Sequence, residues 1–361
     1  MSSSFGKRFS VASAAVATVV VAVSGCSSSG TGSAMGSTPA GKGSGGASPT
    51  GASNTSGAAG ASGGSSAGAS SSTSSTSAPT TPATPSPTAP SHVPVVPGSS
   101  ATGPTTKLPG YTDSAPAGEP LAWRVGTPSV EVSGDVDAFA ARFDPAAVRF
   151  VLHAGSQVPG GSSWPGGNAA STSGLLAGWN GGFLMANNAS WGGFYLGGHT
   201  AFGPLRTGTA SEVFYQDGSM DVLAWPGGLP STDVVGVRQN LALLINEGKL
   251  AADLNDGTAA DERTWGFTNN SADVHGNRSG IGVTADGKVV YAAVHNASPL
   301  QLAQYLQRAG AVRAMELDIN FTRPIFGTYA DGRWTEPAPW LGPAGRFTSG
   351  NERDFVAVYT R

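Results

Sequence analysis

Cysteine is almost absent from this sequence: Cys26 is the only one among 361 residues. The chain therefore has no second cysteine for a disulfide and no cluster of thiolates for a metal site. A folded domain in this chain must be held together by its apolar core. The sequence predicts neither a metal nor an organic cofactor.

Charge is also scarce, at 12% of residues with a formal net charge of -3. Such a chain has no strong basic field for gripping a nucleic-acid backbone, so nucleic acid is not predicted as a partner. The aromatic-rich part of the chain, residues 109–361, lacks a Gly-x-Ser-x-Gly elbow, a His-Glu-x-x-His pair and a Walker loop. These absences argue against a common serine hydrolase, a zinc protease or a nucleotide enzyme.

The one long apolar run, Val11–Val23, is too short to cross a hydrocarbon layer about 30 Å thick. Lys7 and Arg8 precede it and Val-Ser-Gly-Cys closes it, which is typical of a lipoprotein signal peptide. Residues 1–25 are thus predicted as the signal peptide and Cys26 as the site of lipid attachment. The alternative is a signal cleaved elsewhere with Cys26 incidental. The prediction places the protein outside the cell, on the outer face of the membrane, as a lipid-anchored protein.

Residues 26–108 consist largely of Ser, Gly, Ala and Thr, with a Thr/Pro mixture over 79–97. Such a composition cannot offset the entropy of ordering a backbone, so this segment is predicted to be a disordered linker. Aromatic and branched residues then return. Residues 109–361 are predicted as one globular domain.

Short β-like runs separated by glycine-rich turns dominate this domain. The predicted runs cover residues 129–132, 148–153, 178–184, 213–215, 222–224 and 241–245. Helical periodicity is missing from most of the domain. The predicted fold class is therefore α+β: a single domain built on a β-rich mixed sheet with few helices.

The clearest local unit spans residues 281–318. Two apolar strands flank Asp286-Gly287, which is a strong hairpin signal. Ser298-Pro299 then provides a helix N-cap and a first-turn proline, and Gly310 fits the end of that helix. A strand over 314–318 follows and places Asp318 at its carboxyl end.

Four segments in this order resemble the phosphodiester glycosidase family. They are Gly178–Phe183 with its Asn-Gly-x-Phe pattern, Leu241–Lys249, Arg278–Gly282 with Asp286-Gly287, and Ser298–Asp318. The resemblance covers roughly residues 169–329. The chain departs from the family after Asp318, where Ile-Asn-Phe-Thr-Arg-Pro replaces a loop rich in glycine. Bulky residues at that point should reshape the pocket.

The resemblance implies hydrolysis of a sugar 1-phosphodiester. The departing phosphate monoester is already a stable anion, so one nucleophile or base and one cation can suffice. Asp318 is the candidate nucleophile or base, with Glu316, two residues earlier on the same strand face, as a second carboxylate. Arg278 is the candidate cation, because a guanidinium binds phosphate oxygens in bidentate fashion. The alternatives are a strand-capping aspartate and a surface salt bridge.

Four further residues are candidates for binding the substrate. Asn180 lies in a glycine-flanked turn that a ligand can approach, and Asn320 lies beside Asp318. His275 and His295 stand near the ends of the predicted hairpin strands and can exchange a proton or contact phosphate. For each of them, an ordinary structural role is the alternative.

These residues predict a surface-tethered glycosidase that cleaves a sugar 1-phosphodiester in a cell-wall polymer or an exopolysaccharide. The rival from another class is a non-catalytic glycan-binding lipoprotein of the cell envelope. A glycosidase acting on a neutral glycan is a third possibility, for which Arg278 should matter little.

Overall fold

The computed structural model describes residues 109–159, 164, 169–184, 191–201, 204–254, 265–266, 275–319 and 324–361. The predicted signal peptide, Cys26 and the linker to residue 108 lie outside the described residues. Asn320 lies outside them as well. The structural findings below concern the described part of residues 109–361.

Strands make up most of the described chain. In the first half they are β1 Tyr111–Thr112, β2 Arg124–Thr127, β3 Val130–Gly134, β4 Ala138–Phe143, β5 Val148–His153, β6 Leu175–Asn180, β7 Phe194–Leu196, β8 His199–Ala201, β9 Ala210–Tyr215 and β10 Met220–Ala224. The second half contributes β11 Val234–Gln239, β12 Leu243–Asn246, β13 Lys249–Ala251, β14 Gly276–Thr284, β15 Val289–Ala297, β16 Ala311–Ile319, β17 Phe326–Ala330, β18 Arg333–Thr335 and β19 Phe355–Thr360. Two helices, α1 Pro299–Arg308 and α2 Arg346–Ser349, accompany them.

These strands form three sheets. A nine-stranded sheet has the order β1-β13-β12-β16-β14-β15-β4-β3-β2. Two five-stranded sheets have the orders β10-β9-β11-β7-β8 and β18-β17-β6-β19-β5. They are called the large, second and third sheets below.

The prediction of one mixed sheet is wrong, because the strands of all three sheets pair antiparallel in the described chain. Many successive strands are joined by short turns, and a short turn reverses the chain, whereas a parallel pair needs a long crossover. The prediction of a strand-rich fold with few helices is confirmed. The α+β label fits it only loosely.

The central strands of the large sheet, β14, β15 and β16, are mostly buried, whereas β2 at its edge is largely exposed. Along β15, Tyr291 and Ala293 join the core shared with the other two sheets, whereas Val290 and Ala292 pack in the cluster that contains α1. This alternation follows from the two-residue period of a strand. The domain is thus layered, with α1 on one face of the large sheet and strands of the second and third sheets on the other.

The local unit predicted over residues 281–318 is confirmed. Strands β14 and β15 form the hairpin around Asp286-Gly287. The side chain of Ser298 accepts a hydrogen bond from the backbone amide of Gln301, and the side chain of Gln301 accepts one from the backbone amide of Ser298. Together they make a complete capping box. In the described part of the chain, no helix is both long and apolar enough to span a membrane.

Candidate functional site

The predicted site residues gather where the large and third sheets meet. The start of β14 pairs with the ends of β15 and β16, so Arg278, Asp318 and the residues around His295 lie at one edge of the large sheet. The amide of Asp318 donates to the carbonyl of Gly181, which follows β6 of the third sheet, at 3.0 Å. This hydrogen bond joins the ends of strands from two different sheets.

Asp318 forms an ion pair with Arg353, which lies just before β19 in the third sheet. The side chains of Asp318 and Arg353 are 8% and 19% exposed, so solvent reaches both partners. The second carboxylate oxygen, Oδ1, accepts a hydrogen bond from the Ile319 amide at 3.1 Å. Asp318 is thus a nearly buried carboxylate whose two oxygens are both hydrogen-bonded. Its predicted role as nucleophile or base stays a prediction.

Asn180 is buried directly beside this pair. Its Nδ2 donates to Ser279 Oγ at 3.2 Å and to the Gly181 carbonyl at 2.8 Å. Its Oδ1 accepts hydrogen bonds from the Tyr291 hydroxyl at 3.3 Å and from the Ile325 amide at 2.9 Å. All of these partners are protein groups, so the amide is fixed in orientation. Its predicted contact with substrate stays a prediction.

Ser279 and Tyr291 connect Asn180 to the aspartate. Ser279 Oγ donates to the Asp318 carbonyl at 2.8 Å. Burial raises the pKa of the Tyr291 hydroxyl far above its usual value, and the nearby Asp318 carboxylate raises it further. Tyr291 therefore keeps its proton and acts as a hydrogen-bond donor.

The turn after Asn180 is held by a buried ion pair between Arg238 and Asp354. Arg238 Nε donates to Asp354 Oδ2 at 2.7 Å, and its Nη2 donates to the Phe183 carbonyl at 2.7 Å. A Cβ atom added at Gly181 would lie 1.7 Å from Asp354 Oδ2, so only glycine fits that position. The predicted Asn-Gly-x-Phe segment is thus a close-packed turn that places Asn180 against Ser279.

Arg278 is completely buried and forms an ion pair with Glu316, which is completely buried too. Its Nε donates to the Ala297 carbonyl at 2.9 Å, Nη1 to the Trp265 carbonyl at 3.2 Å and Nη2 to the Gly266 carbonyl at 3.3 Å. The N–H groups of the Arg278 guanidinium thus donate to oxygen atoms of the protein. The buried pair thus ties the strands and loops around it together. The predicted catalytic roles of both residues stay predictions.

The two histidines lie at the same edge of the large sheet but outside the network of Asn180. His275 is half-buried and immediately precedes β14. His295 is exposed near the end of β15, with its ring 5.4 Å from that of Trp340. Among the described residues, no group of three or more His, Cys, Asp or Glu side chains is placed to hold a metal ion.

Another buried carboxyl, that of Glu212 on β9, lies close to the Arg238–Asp354 pair. It accepts a hydrogen bond from Trp179 Nε1 at 3.3 Å, and its Oε2 has no hydrogen-bond partner among the described residues. Burial raises the pKa of Glu212 to about 8, with Asp354 adding to the rise and Trp179 and Arg238 opposing it. Glu212 is therefore largely protonated at neutral pH.

Glu212→Gln is expected to stabilise the fold at neutral and alkaline pH. Because the folded-state pKa of Glu212 lies above the unfolded value of 4.5, the folded protein binds the extra proton, and the free energy of unfolding falls as pH rises from about 4.5 to about 8. The variant removes that decline and should gain about 3 kcal/mol at pH 7. Chemical denaturation at pH 5, 7 and 8.5 measures it.

Glu131→Gln is the matched control, because the hydrogen bond from Arg142 lowers the pKa of Glu131. Its contribution to stability is therefore present above the unfolded pKa and lost on acidification, which is the opposite trend. An unchanged slope of stability against pH in Glu212→Gln would contradict the assignment of a buried proton to this carboxyl.

A mostly apolar cavity of about 370 Å³ opens between β3, β4 and β17. Its described lining includes Val132, Phe139 and Phe326 and contains none of the predicted site residues. Phe326 stacks on Tyr291 with ring centroids 4.9 Å apart, so one aromatic layer links the cavity wall to the Asn180 network. The polar chemistry lies at the strand ends, not in this cavity.

Sequence reasoning missed Arg353, Ser279 and Tyr291. Arg353 carries a local signal, since it stands in a Glu-Arg-Asp run directly before a strongly apolar final strand. Polar residues next to the end of a strand are the same signal that pointed to Asp318. Ser279 and Tyr291 sit inside strands, and no local pattern distinguishes them from residues with a packing role.

Residues 173–318 match the family model described as phosphodiester glycosidase. The matched segment contains Asn180, Arg278, Glu316 and Asp318. The family predicted from the sequence is thereby confirmed over this segment. No curated protein matches the chain.

Two solved structures are similar to the chain at low sequence identity. One is the zebrafish N-acetylglucosamine-1-phosphodiester alpha-N-acetylglucosaminidase catalytic domain, auto-inhibited by its pro-peptide, at 15% identity and a TM-score of 0.42, covering 67% of this chain and 87% of that one. The other is a hypothetical protein from Synechocystis, at 13% identity and a TM-score of 0.37, covering 68% of this chain and 64% of that one.

Proposed function

From the membership of residues 173–318 in the phosphodiester glycosidase family, we propose that this chain is a glycosidase that hydrolyses a sugar 1-phosphodiester. One observation carries the proposal beyond the family match. The carboxylate of Asp318, at the end of β16, is nearly buried, with 8% of its side chain exposed, and is held by the more exposed Arg353. A fixed carboxylate beside a cation suits the cleavage of a bond between an anomeric carbon and a phosphate oxygen.

Asp318 is proposed as the nucleophile or base of this reaction. As a base it takes a proton from water while the water oxygen bonds to the anomeric carbon. The bond from that carbon to the phosphate oxygen breaks, and its electron pair leaves with the phosphate monoester. As a nucleophile it forms the bond to the anomeric carbon itself, and water then releases the sugar.

The hydrogen bonds around Asp318 support this role by fixing the residue. Its backbone amide donates to the Gly181 carbonyl and its backbone carbonyl accepts from Ser279 Oγ. Its carboxylate accepts from the Ile319 amide and from Arg353. Asn180 in turn holds Ser279. A carboxylate held in this way loses little freedom when the reaction begins.

We further propose that the substrate is a sugar phosphodiester in a cell-wall polymer or an exopolysaccharide. The lipid anchor at Cys26 and the linker over 26–108, both predicted from the sequence, support it. They would hold the domain at the outer face of the membrane, within reach of such polymers.

Release of free sugar from synthetic α- and β-sugar 1-phosphodiesters by the full chain tests the activity. Turnover of one anomer supports the proposal and identifies the anomeric configuration of the substrate. If the chain turns over no diester yet still binds wall glycan, the non-catalytic glycan-binding lipoprotein becomes the better account.

A further inference from the structure

The two buried or partly buried arginine–carboxylate pairs at this edge differ in their access to a ligand. Arg278 and Glu316 are both 0% exposed, whereas Arg353 and Asp318 are 19% and 8% exposed. A phosphate group must reach a guanidinium through solvent. Arg353 offers it an approach, and Arg278 does not.

The hydrogen-bond partners of the two guanidinium groups differ as well. A guanidinium has five N–H donors, and four of those in Arg278 point at the oxygens of Ala297, Trp265, Gly266 and Glu316. For the guanidinium of Arg353, the hydrogen-bond partner among the described residues is Asp318 Oδ2, which accepts from Nη1. Arg353 can therefore give further donors to a second anion while it keeps the first.

The backbone of Arg353 is fixed, so its side chain is presented from a rigid support. Its carbonyl accepts a hydrogen bond from Asn351 Nδ2 at 2.8 Å. Val158 pairs with it in a parallel bridge, and a Cβ atom added at Gly155 would come within 2.5 Å of its backbone. The neighbouring Asp354 is locked by Arg238. Only the guanidinium is left to adjust to a ligand.

We propose that Arg353 binds the phosphate group of the substrate, and that Arg278 is a positioning residue that acts through Glu316. The assignment rests on the proposed function for the identity of the anion, a sugar phosphate. Arg353 then donates hydrogen bonds to two anions, the carboxylate of Asp318 and the phosphate, and its positive charge holds them near each other at the anomeric carbon. The planar fork suits this bridging better than an ammonium does.

Titration of the full chain with inorganic phosphate by calorimetry at low ionic strength tests the assignment without requiring turnover. We expect Arg353→Ala to weaken phosphate binding about 10- to 100-fold, as the loss of a charged hydrogen-bond donor does. Arg353→Lys keeps the positive charge but has no planar guanidinium, so its affinity for phosphate should lie between those of the unmodified chain and Arg353→Ala. Arg313→Ala is the matched control, because Arg313 is a part-buried, ion-paired arginine near the opposite end of β16.

Kinetics separate phosphate binding from a mere effect on Asp318. For Arg353→Ala, kcat/KM on a sugar 1-phosphodiester should fall at least about 10-fold further than kcat/KM on a neutral aryl glycoside of the same sugar. Equal losses on both substrates would overturn the assignment and leave Arg353 as a support of Asp318. Phosphate binding that survives in Arg353→Ala would overturn it as well.

The two proposals fail in different ways. If no diester is hydrolysed but phosphate binds and Arg353→Ala abolishes that binding, the phosphate site stands and the enzymatic function falls. If diesters are hydrolysed and Arg353→Ala leaves both titration and selectivity unchanged, the function stands and the site falls. Absence of phosphate binding in the unmodified chain, with no preference for a diester, overturns the assignment outright.

Discussion

Replacing Asp318 by Asn is expected to lower kcat for a sugar 1-phosphodiester by about 10²- to 10⁴-fold, the range typical for removal of a catalytic acid or base. Asparagine has nearly the same shape, but its single side-chain oxygen can accept from Arg353 or from the Ile319 amide and not from both, as the two carboxylate oxygens of Asp318 do. It has no negative charge with which to take a proton or attack carbon. Substrate affinity should change far less than turnover.

Asp221→Asn is the matched control for this experiment. Asp221 is also a part-buried aspartate in an ion pair, with Arg313 at 2.6 Å, and it is not part of the Asp318 network. Its replacement should leave kcat within about threefold, as expected for a residue outside the site. A silent Asp318→Asn in an active protein would remove Asp318 from the reaction. Binding of glycan with no turnover in either form would favour the glycan-binding alternative.

Arg278→Ala is expected to destabilise the fold by about 3–5 kcal/mol, because it leaves the buried Glu316 carboxyl without its cation. The exposure of both side chains is 0%, so water cannot take the place of the lost guanidinium. Three backbone carbonyls also lose their donor. Equilibrium unfolding in guanidinium chloride measures the change.

Two further variants test whether this loss of stability comes from an unpaired buried charge. Arg142→Ala removes the partner of Glu131 in a pair whose side chains are 19% and 38% exposed, and should cost less than about 1 kcal/mol. Replacing both buried partners, with Arg278→Met and Glu316→Leu, should recover part of the lost stability. A stable Arg278→Ala protein that has lost phosphate binding would restore the sequence-based role of Arg278 at the expense of Arg353.

Short-range features of the fold were predictable from the sequence because their causes are local. The hairpin around Asp286-Gly287 follows from turn chemistry, and the start of α1 follows from Ser298 and Pro299. The position of Asp318 at a strand end followed from a polar residue after an apolar run. The strand pairing did not, since it depends on which distant segments meet.

The contacts within the site are likewise long-range, and the sequence alone does not predict them. Asn180 meets Ser279 across 99 positions of sequence, and Asp318 meets Arg353 across 35. No spacing rule links residues so far apart. The sequence therefore predicts as the cation Arg278, which stands at the start of a strand and in a segment that resembles the family. Its burial depends on the packing of Trp265, Gly266 and Ala297 around it. That packing exists only in the folded chain.

The position of β19 has a consequence for when this site can exist. This strand lies between β5 and β6 in the third sheet, and the residues just before it include Arg353 and Asp354. Any nascent or truncated chain that stops short of residue 355 lacks the strand that joins its neighbours. The pairing of β19 with β5 and β6 is therefore what brings Arg353 to Asp318, so the ion pair between them forms only after this strand has joined the third sheet.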